Sequence, residues 1–159
     1  MNRIGFAKDI HRLVVNRKLI LGGVEIPFEK GLLGHSDADV VLHAVTEALL
    51  GALALGDLGT HFPDSDARYK DIDSSLLLSK AVELMKKEGY AVGNVDVTIV
   101  LEKPKIAPYI SSIQQRLATL LEVTLKEVSI KACTNEGLDA IGRGEAAEAD
   151  AIILLRKVD

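Results

Sequence analysis

Three of the four histidines of this chain fall within residues 34–64, GHSDADVVLHAVTEALLGALALGDLGTHFPD, beside five carboxylates and the most apolar helical segment of the sequence. Asp39, His43 and Glu47 recur every fourth residue, which on a helix stacks three polar side chains in one stripe roughly 6 Å apart from turn to turn. Around them Val40, Val41, Ala44, Val45, Ala48, Leu49, Ala52 and Leu53 cover most of the surface, so the helix is expected to be largely buried. Ionisable groups buried without partners cost several kcal/mol each. The stripe must therefore be solvated, paired or bound to a metal.

A second polar pair precedes it. In Asp9-x-His11 the two side chains point to one side of a strand and can reach for one ion together. With His43 they make one carboxylate and two imidazoles, an open zinc set whose fourth tetrahedral position, at ~2 Å, is left for water or a substrate oxygen. The plainer reading, a hydrogen-bonded core histidine and an ordinary strand end, is ahead on spacing alone. His35, Ser36 and Asp37 lie just before the helix, where backbone N–H groups and the helix dipole favour a phosphate. Ser36 or Asp37 can cap the helix, with Asp39 completing the bonding of its first turn. In the loop that follows, Asp57, Asp64 and Asp66 can bind a polyol hydroxyl or a cation, or simply face solvent. Further on, KACTNEG places Thr134, Asn135 and Glu136 at a strand exit with Arg143 in GRGE shortly after. A hydroxyl, a carboxylate and an arginine suit a diphosphate with Mg²⁺, Glu136 holding the metal; an ordinary turn over residues 135–137 is the alternative. There is no G-x-x-x-x-G-K-[ST] loop.

The elements that must position these residues follow from periodicity. Residues 2–11 read as a strand, and residues 18–28 as a hairpin turned at Gly22-Gly23 whose second arm, carrying Pro27, lies on an edge. Residues 56–75 show no periodicity, and a loop of that length is usually functional or mobile. A second helix starts at Asp73 or Ser74 and stops at Gly89. A strand over residues 92–101, a third helix entered past Pro104 and Pro108 and ending near Glu122, and strands over 128–133 and 149–156 complete the chain. Strand, helix, strand over residues 92–133 is a right-handed crossover. The fold class is α/β (α+β): one mixed sheet of about five strands with about three helices on one face, in a single domain spanning residues 1–159. The uncovered face would expose aliphatic side chains of residues 92–101 and 149–156, for which cyclic association is the remedy.

At 48 % hydrophobic and 4 % aromatic, the core must be built from Val, Ile, Leu and Ala. A formal charge of -4 with no basic cluster argues against nucleic acid as a partner. The single cysteine, Cys133, excludes an internal disulfide and a cysteine-rich zinc site. No signal core, organelle leader or apolar run of ~20 residues is present, so no membrane association and a cytoplasmic location are expected.

Taken together, RIG…DIHRL, LGGVEIPFEKGLLGHSDADVVLHAVTEALLGALALGDLGTHFPD, NVDVTIVLEKPK and KACTNEGL…GRGE resemble the 2-C-methyl-D-erythritol 2,4-cyclodiphosphate synthase family of the non-mevalonate isoprenoid pathway. The resemblance runs through essentially the whole chain, in register, and implies a zinc ion held by Asp9, His11 and His43. It implies that His35, Ser36 and Asp37 meet the phosphate end of the substrate, His35, Asp37, Thr134 and Glu136 being the catalytic positions. Asp57, Gly59, Phe62, Asp64 and Asp66 would grip the methylerythritol part. Pro104, Lys105, Ala132, Cys133, Thr134 and Arg143 would hold the cytidine and its phosphates, and Glu136 a Mg²⁺ or Mn²⁺. It further implies homotrimers with active sites between subunits, and cyclisation of 4-diphosphocytidyl-2-C-methyl-D-erythritol 2-phosphate with release of CMP. No cytidylyltransferase domain is fused to the sequence, so a single activity is expected.

The chain departs from that pattern at a few places. Ala7 and Lys8 replace a glycine and an aromatic, Cys133 a threonine, Asp139 and Ala140 a glycine and a phenylalanine, and Ala146 a glycine. Lys8 should point away from Asp9 on a strand, which leaves zinc binding intact. The replaced phenylalanine helps line an axial cavity proposed in the family to take isoprenoid diphosphates, and that site is not carried over. Two other readings compete: a metal-dependent phosphodiesterase with a water nucleophile, and a CDP-ligand-binding module without turnover.

Overall fold

The computed structural model describes residues 1–63 and 65–158; Asp64 lies outside them. In chain order the elements are β1 (Arg3–Val15), β2 (Leu19–Leu21), β3 (Val24–Ile26), β4 (Lys30–Leu32), α1 (Val40–Ala52), the short α2 (Leu58–His61), α3 (Ser74–Lys87), β5 (Tyr90–Val100), α4 (Ile110–Leu121), β6 (Val128–Cys133), the short α5 (Asp139–Gly142) and β7 (Ala146–Lys157). The main sheet has the order β4-β1-β7-β5-β6, antiparallel throughout except for the parallel β5–β6 pair. That pair is joined by α4, the crossover the sequence predicts.

The expected hairpin is present, with one difference. β2 and β3 pair only with each other, so the hairpin is a separate two-stranded sheet and the mixed character of the main sheet comes from β6. Gly22 and Gly23 both have positive φ, 60° and 75°, the geometry of a tight two-residue turn that side chains with a Cβ resist.

α1 is the buried helix its composition demands: ten of its residues are inaccessible, and it packs on β1, β7 and α3. The contact with β1 is backbone on backbone. A Cβ on Gly5 would sit 1.8 Å from the carbonyl oxygen of Ala48, so only glycine lets α1 lie this close. The helix starts later than the 35–37 block suggested. Its N-cap is Asp39, whose carboxylate accepts from Val41 and Leu42 N–H, and Ser36 and Asp37 lie outside it.

The loop without periodicity contains short local structure. Asp57 caps α2, and Asp66 caps a 3₁₀ turn over Ala67–Tyr69. Asp73, one of the two starts the sequence offers, caps α3. The long helices cover one face of the sheet, and on the other only the short α5 is seated among the described residues, Ile141 packing on Val100 and Ala146. On the other face Ile4, Phe6, Ile10 and Ile152 are exposed, so the apolar surface comes from β1 and β7 more than from β5, which presents Asn94, Asp96 and Thr98 there. No helix among the described residues is long and apolar enough to cross a membrane.

Candidate active site

Asp9 projects from β1 on the same side as Gly5 and Ala7, toward α1, and there it meets His43. Its Oδ2 lies 3.1 Å from Nδ1 of His43 and 3.1 Å from Nε2 of His11. One ligand atom from each of the three residues falls within 4.8 Å of the others, the geometry of a shared ion. The two residues of the Asp-x-His pair thus converge as strand spacing predicts, and α1 brings the third. The remaining ring nitrogens are engaged: Nδ1 of His11 lies 2.7 Å from the Leu33 carbonyl, and Nε2 of His43 lies 2.9 Å from Ser74 Oγ and 3.0 Å from Ser36 Oγ. Imidazoles that face a cation on one nitrogen and a fixed protein group on the other are the usual arrangement of a metal site. Burial alone would raise the Asp9 carboxyl, but the ring nitrogens of His11 and His43, each 3.1 Å from its Oδ2, outweigh it and hold Asp9 well below the usual carboxylate range. A carboxylate kept ionised beside two imidazoles is a donor set that fits zinc.

The Asp39–His43–Glu47 stripe divides by depth. Asp39 is fully buried and takes no part in the cluster: besides capping α1 it accepts from Gly22 N–H at 2.9 Å and Gly23 N–H at 2.7 Å, tying the hairpin turn to the helix. Its carboxyl is pushed up to about 6 by burial, against the pull of those backbone donors. Glu47 lines the cleft above the cluster, and burial, with Asp57 and Asp9 nearby, raises its carboxyl too.

That cleft, about 310 Å³, is lined by Asp9, His11, His35, Ser36, His43 and Glu47 on one side and by Leu58, Gly59, Phe62 and Tyr69 on the other. His35 contributes a buried Nε2 that has no hydrogen-bond partner among the described residues. A buried polar atom without a partner, on a residue of the cleft wall, is one that a ligand can satisfy. Asp37 does not line the cleft; its carboxylate turns to the start of α3 and accepts from Ser74 and from Asp39 N–H. Asp57 is spent on Thr60, whose hydroxyl and backbone N–H hold it below its ordinary value. Asp66 pairs with Arg68, chiefly through its side-chain hydrogen bonds, and is lowered to about 2.

The 104–105 and 132–134 residues meet elsewhere. Pro104, Lys105, Ala132, Cys133 and Thr134 line a second cavity of about 180 Å³ with Leu101, Glu102 and Ile106. Asp9 and Ala132 nevertheless occupy one row of the sheet, through the pairs Asp9–Ala149, Ile99–Ala149 and Ile99–Ala132. Three strand spacings separate them, about 14 Å. The turn over residues 134–137 is held by Glu102, whose Oε1 accepts from Asn135 N–H at 2.8 Å. Glu136 is exposed, and its backbone N–H donates to Thr134 Oγ1 at 3.3 Å. Arg143 is paired with Glu145 at 2.8 Å. Lys8 does point away from Asp9, forming an ion pair with Glu148 at 2.8 Å on the open sheet face.

Ser74, Leu33 and Glu102 were not foreseen as parts of the site. Ser74 is an ordinary helix-start serine by sequence, and only the fold brings it to His43, 31 residues away. Glu47 was visible in the stripe, but its spacing could not tell a cleft wall from a cap.

Known proteins decide the grouping. A profile of the YgbB family matches residues 2–156. The chain belongs to the YgbB family. Its similar relatives include the 2-C-methyl-D-erythritol 2,4-cyclodiphosphate synthase of Chloroherpeton thalassium, 56 % identical over 156 residues and covering 98 % of this chain and 99 % of the relative. That of Shouchella clausii is 54 % identical over the full length of both. Among solved structures of the family, the bifunctional IspDF of Campylobacter jejuni superposes with a TM-score of 0.96 at 34 % identity, covering 100 % of this chain and 43 % of that one. A Plasmodium falciparum IspF in complex with CDP superposes at 0.88 and 35 % identity, covering 99 % of this chain and 97 % of the other.

Proposed function

We propose that this YgbB-family chain is a 2-C-methyl-D-erythritol 2,4-cyclodiphosphate synthase. It cyclises 4-diphosphocytidyl-2-C-methyl-D-erythritol 2-phosphate: an oxygen of the 2-phosphate attacks the β-phosphorus, and the bond from that phosphorus to the bridging oxygen breaks. The bonding pair leaves with CMP, and an eight-membered cyclic diphosphate remains. No protein nucleophile is required, so the protein's task is to fold the substrate and neutralise its charge, a kind of positioning that can be worth ~7 to 11 kcal/mol. The observation that carries this reading is the convergence of Asp9, His11 and His43 beneath a cleft walled by His35 and Phe62.

In this reading Asp9, His11 and His43 hold zinc, and Glu136 a Mg²⁺ or Mn²⁺. When bound, such cations supply fixed positive charge that polarises phosphate oxygens and offsets charge on the departing CMP. His35 offers its buried Nε2 to a phosphate oxygen, and Ser36, beside it, shares that wall of the cleft. Gly59 and Phe62 bound the space for the methylerythritol carbons; Asp57 and Asp66, in the loop that carries them, and Asp64, which lies outside the described residues, complete the proposed grip on that part of the substrate. Pro104, Lys105, Ala132, Cys133 and Thr134 form the proposed cytidine cavity, with Arg143 and Thr134 assigned to the phosphates; the CDP complex of the Plasmodium relative supports a nucleotide ligand for the chain. The two cavities are separate in one chain, and the exposed apolar sheet face calls for partners. A homotrimer that sets the metal cluster of one subunit beside the cytidine cavity of the next answers both. A cytoplasmic location fits.

Incubation with the cytidylyl substrate in ¹⁸O-labelled water tests the chemistry. Cyclisation gives an unlabelled cyclic product and CMP, and chelation stops it. Label in the cleaved phosphates would mean hydrolysis, and tight CDP binding with no conversion would mean a binding module.

A further inference from the structure

We propose that Ser74 and Asp37 are a positioning pair for the metal centre: together they keep the His43 proton on Nε2, so that Nδ1 is always the atom offered to the cation. The proposal deepens the metal reading above and rests on it. A serine hydroxyl has one proton to give and two lone pairs to receive, whereas a carboxylate can only accept. Ser74 Oγ is hydrogen-bonded to Asp37 Oδ1, and Ser74 N–H donates to Asp37 Oδ2 at 3.1 Å. The hydroxyl proton is therefore committed to Asp37. What Ser74 Oγ turns toward His43 Nε2, 2.9 Å away, is a lone pair, and Nε2 must be the donor.

Ser36 does not upset this assignment. Its Oγ accepts from Ala38 N–H at 3.1 Å and lies 3.0 Å from Nε2, while its own proton has Ser74 Oγ as an acceptor at 3.4 Å. Ser74 is completely buried, so bulk water does not compete for its hydroxyl. The same logic serves His11 by simpler means: the Leu33 carbonyl, an acceptor only, fixes the proton on Nδ1 and leaves Nε2 toward Asp9. One ring is fixed by a carbonyl, the other by a hydroxyl that a carboxylate orients.

The fold supplies the register for the pair. Ser74 opens α3, and the 35–37 segment is tied to the chain before that helix by Asp37 N–H to the Ile72 carbonyl at 3.1 Å and Asp71 N–H to the His35 carbonyl at 2.8 Å. Docking of α3 and orientation of the His43 ring are thus one event.

The test compares wild type, Ser74→Ala and Ser74→Thr, each stripped of metal and titrated with Zn²⁺ against a chromophoric chelator. Loss of such a ring partner typically weakens metal binding 10- to 100-fold, and about that loss is expected for Ser74→Ala with Ser74→Thr restoring most of it. Adding Asp37→Asn to Ser74→Ala should then cost little more, because Asp37 acts through the hydroxyl already removed. Wild-type affinity in Ser74→Ala, or a Ser74→Thr that melts like wild type yet binds as weakly as Ser74→Ala, would overturn the proposal. ¹⁵N imidazole spectra of the metal-free wild type need no variant: a protonated His43 Nε2 is expected, and an unprotonated one overturns the assignment. A wild-type protein that takes up no zinc would defeat the metal reading instead, and those spectra would still judge the ring.

Discussion

Asp39 and His43 stand one turn apart in a single polar stripe, yet one is the cap of α1 and the other faces the cleft. The difference lies in what else reaches them. Asp39 receives four backbone N–H groups, two from its own helix and two from the Gly22-Gly23 turn, and is sealed from water; His43 meets side chains only. Removing a carboxylate that serves four backbone donors, three of them in buried contacts, leaves those three unsatisfied, at about 1–3 kcal/mol apiece. Asp39→Ala should accordingly lose about 3 kcal/mol or more of stability in urea denaturation; a loss under about 1 kcal/mol would show that the donors find other partners. Of the site residues, Asp9, His11 and His43 were legible because strand spacing aligns the first two and a polar stripe on an apolar helix flags the third. Ser74 and Glu102 were not, because their partners are 31 and 33 residues distant.

At the scale of elements, strong periodicity gave the long helices and the β5–α4–β6 crossover, and the glycine pair gave the hairpin. The short α2 and the 3₁₀ turn over Ala67–Tyr69 have four and three residues, too few to show a period. The hairpin's separation from the main sheet was hidden because pairing between distant strands leaves no local trace. A tight joint between elements is β1 against α1 at Gly5, and the same two elements carry Asp9 and His43. Gly5→Ala puts a methyl carbon where the Ala48 carbonyl oxygen now lies, so α1 must shift. Overpacking of this kind costs about 1–3 kcal/mol, occasionally more. Both a lower melting temperature and weaker zinc uptake are expected of that variant; a melting loss with unchanged zinc affinity would uncouple the joint from the site.

For the whole molecule, the informative surface is the sheet face that the long helices leave open. Phe6 is 61 % exposed and Ile4 71 %, with Ile152 paired across from Phe6, while Lys8 and Glu148 form an ion pair one row away. An apolar patch interrupted by a fixed charge pair is the surface that the proposed trimer would bury. Phe6→Asp combined with Ile152→Asp should leave a folded monomer by sedimentation and circular dichroism, with turnover lost because the two cavities no longer face each other across subunits. A fully active monomer would refute sites shared between chains.

The claim on which the account turns is that one cation is seated between the opening strand and the first long helix. Metal analysis of the purified wild type beside His43→Ala tests it most directly. One zinc per chain in the former, next to none in the latter, and a preserved fold in both is the expected result; full zinc occupancy in His43→Ala would contradict it.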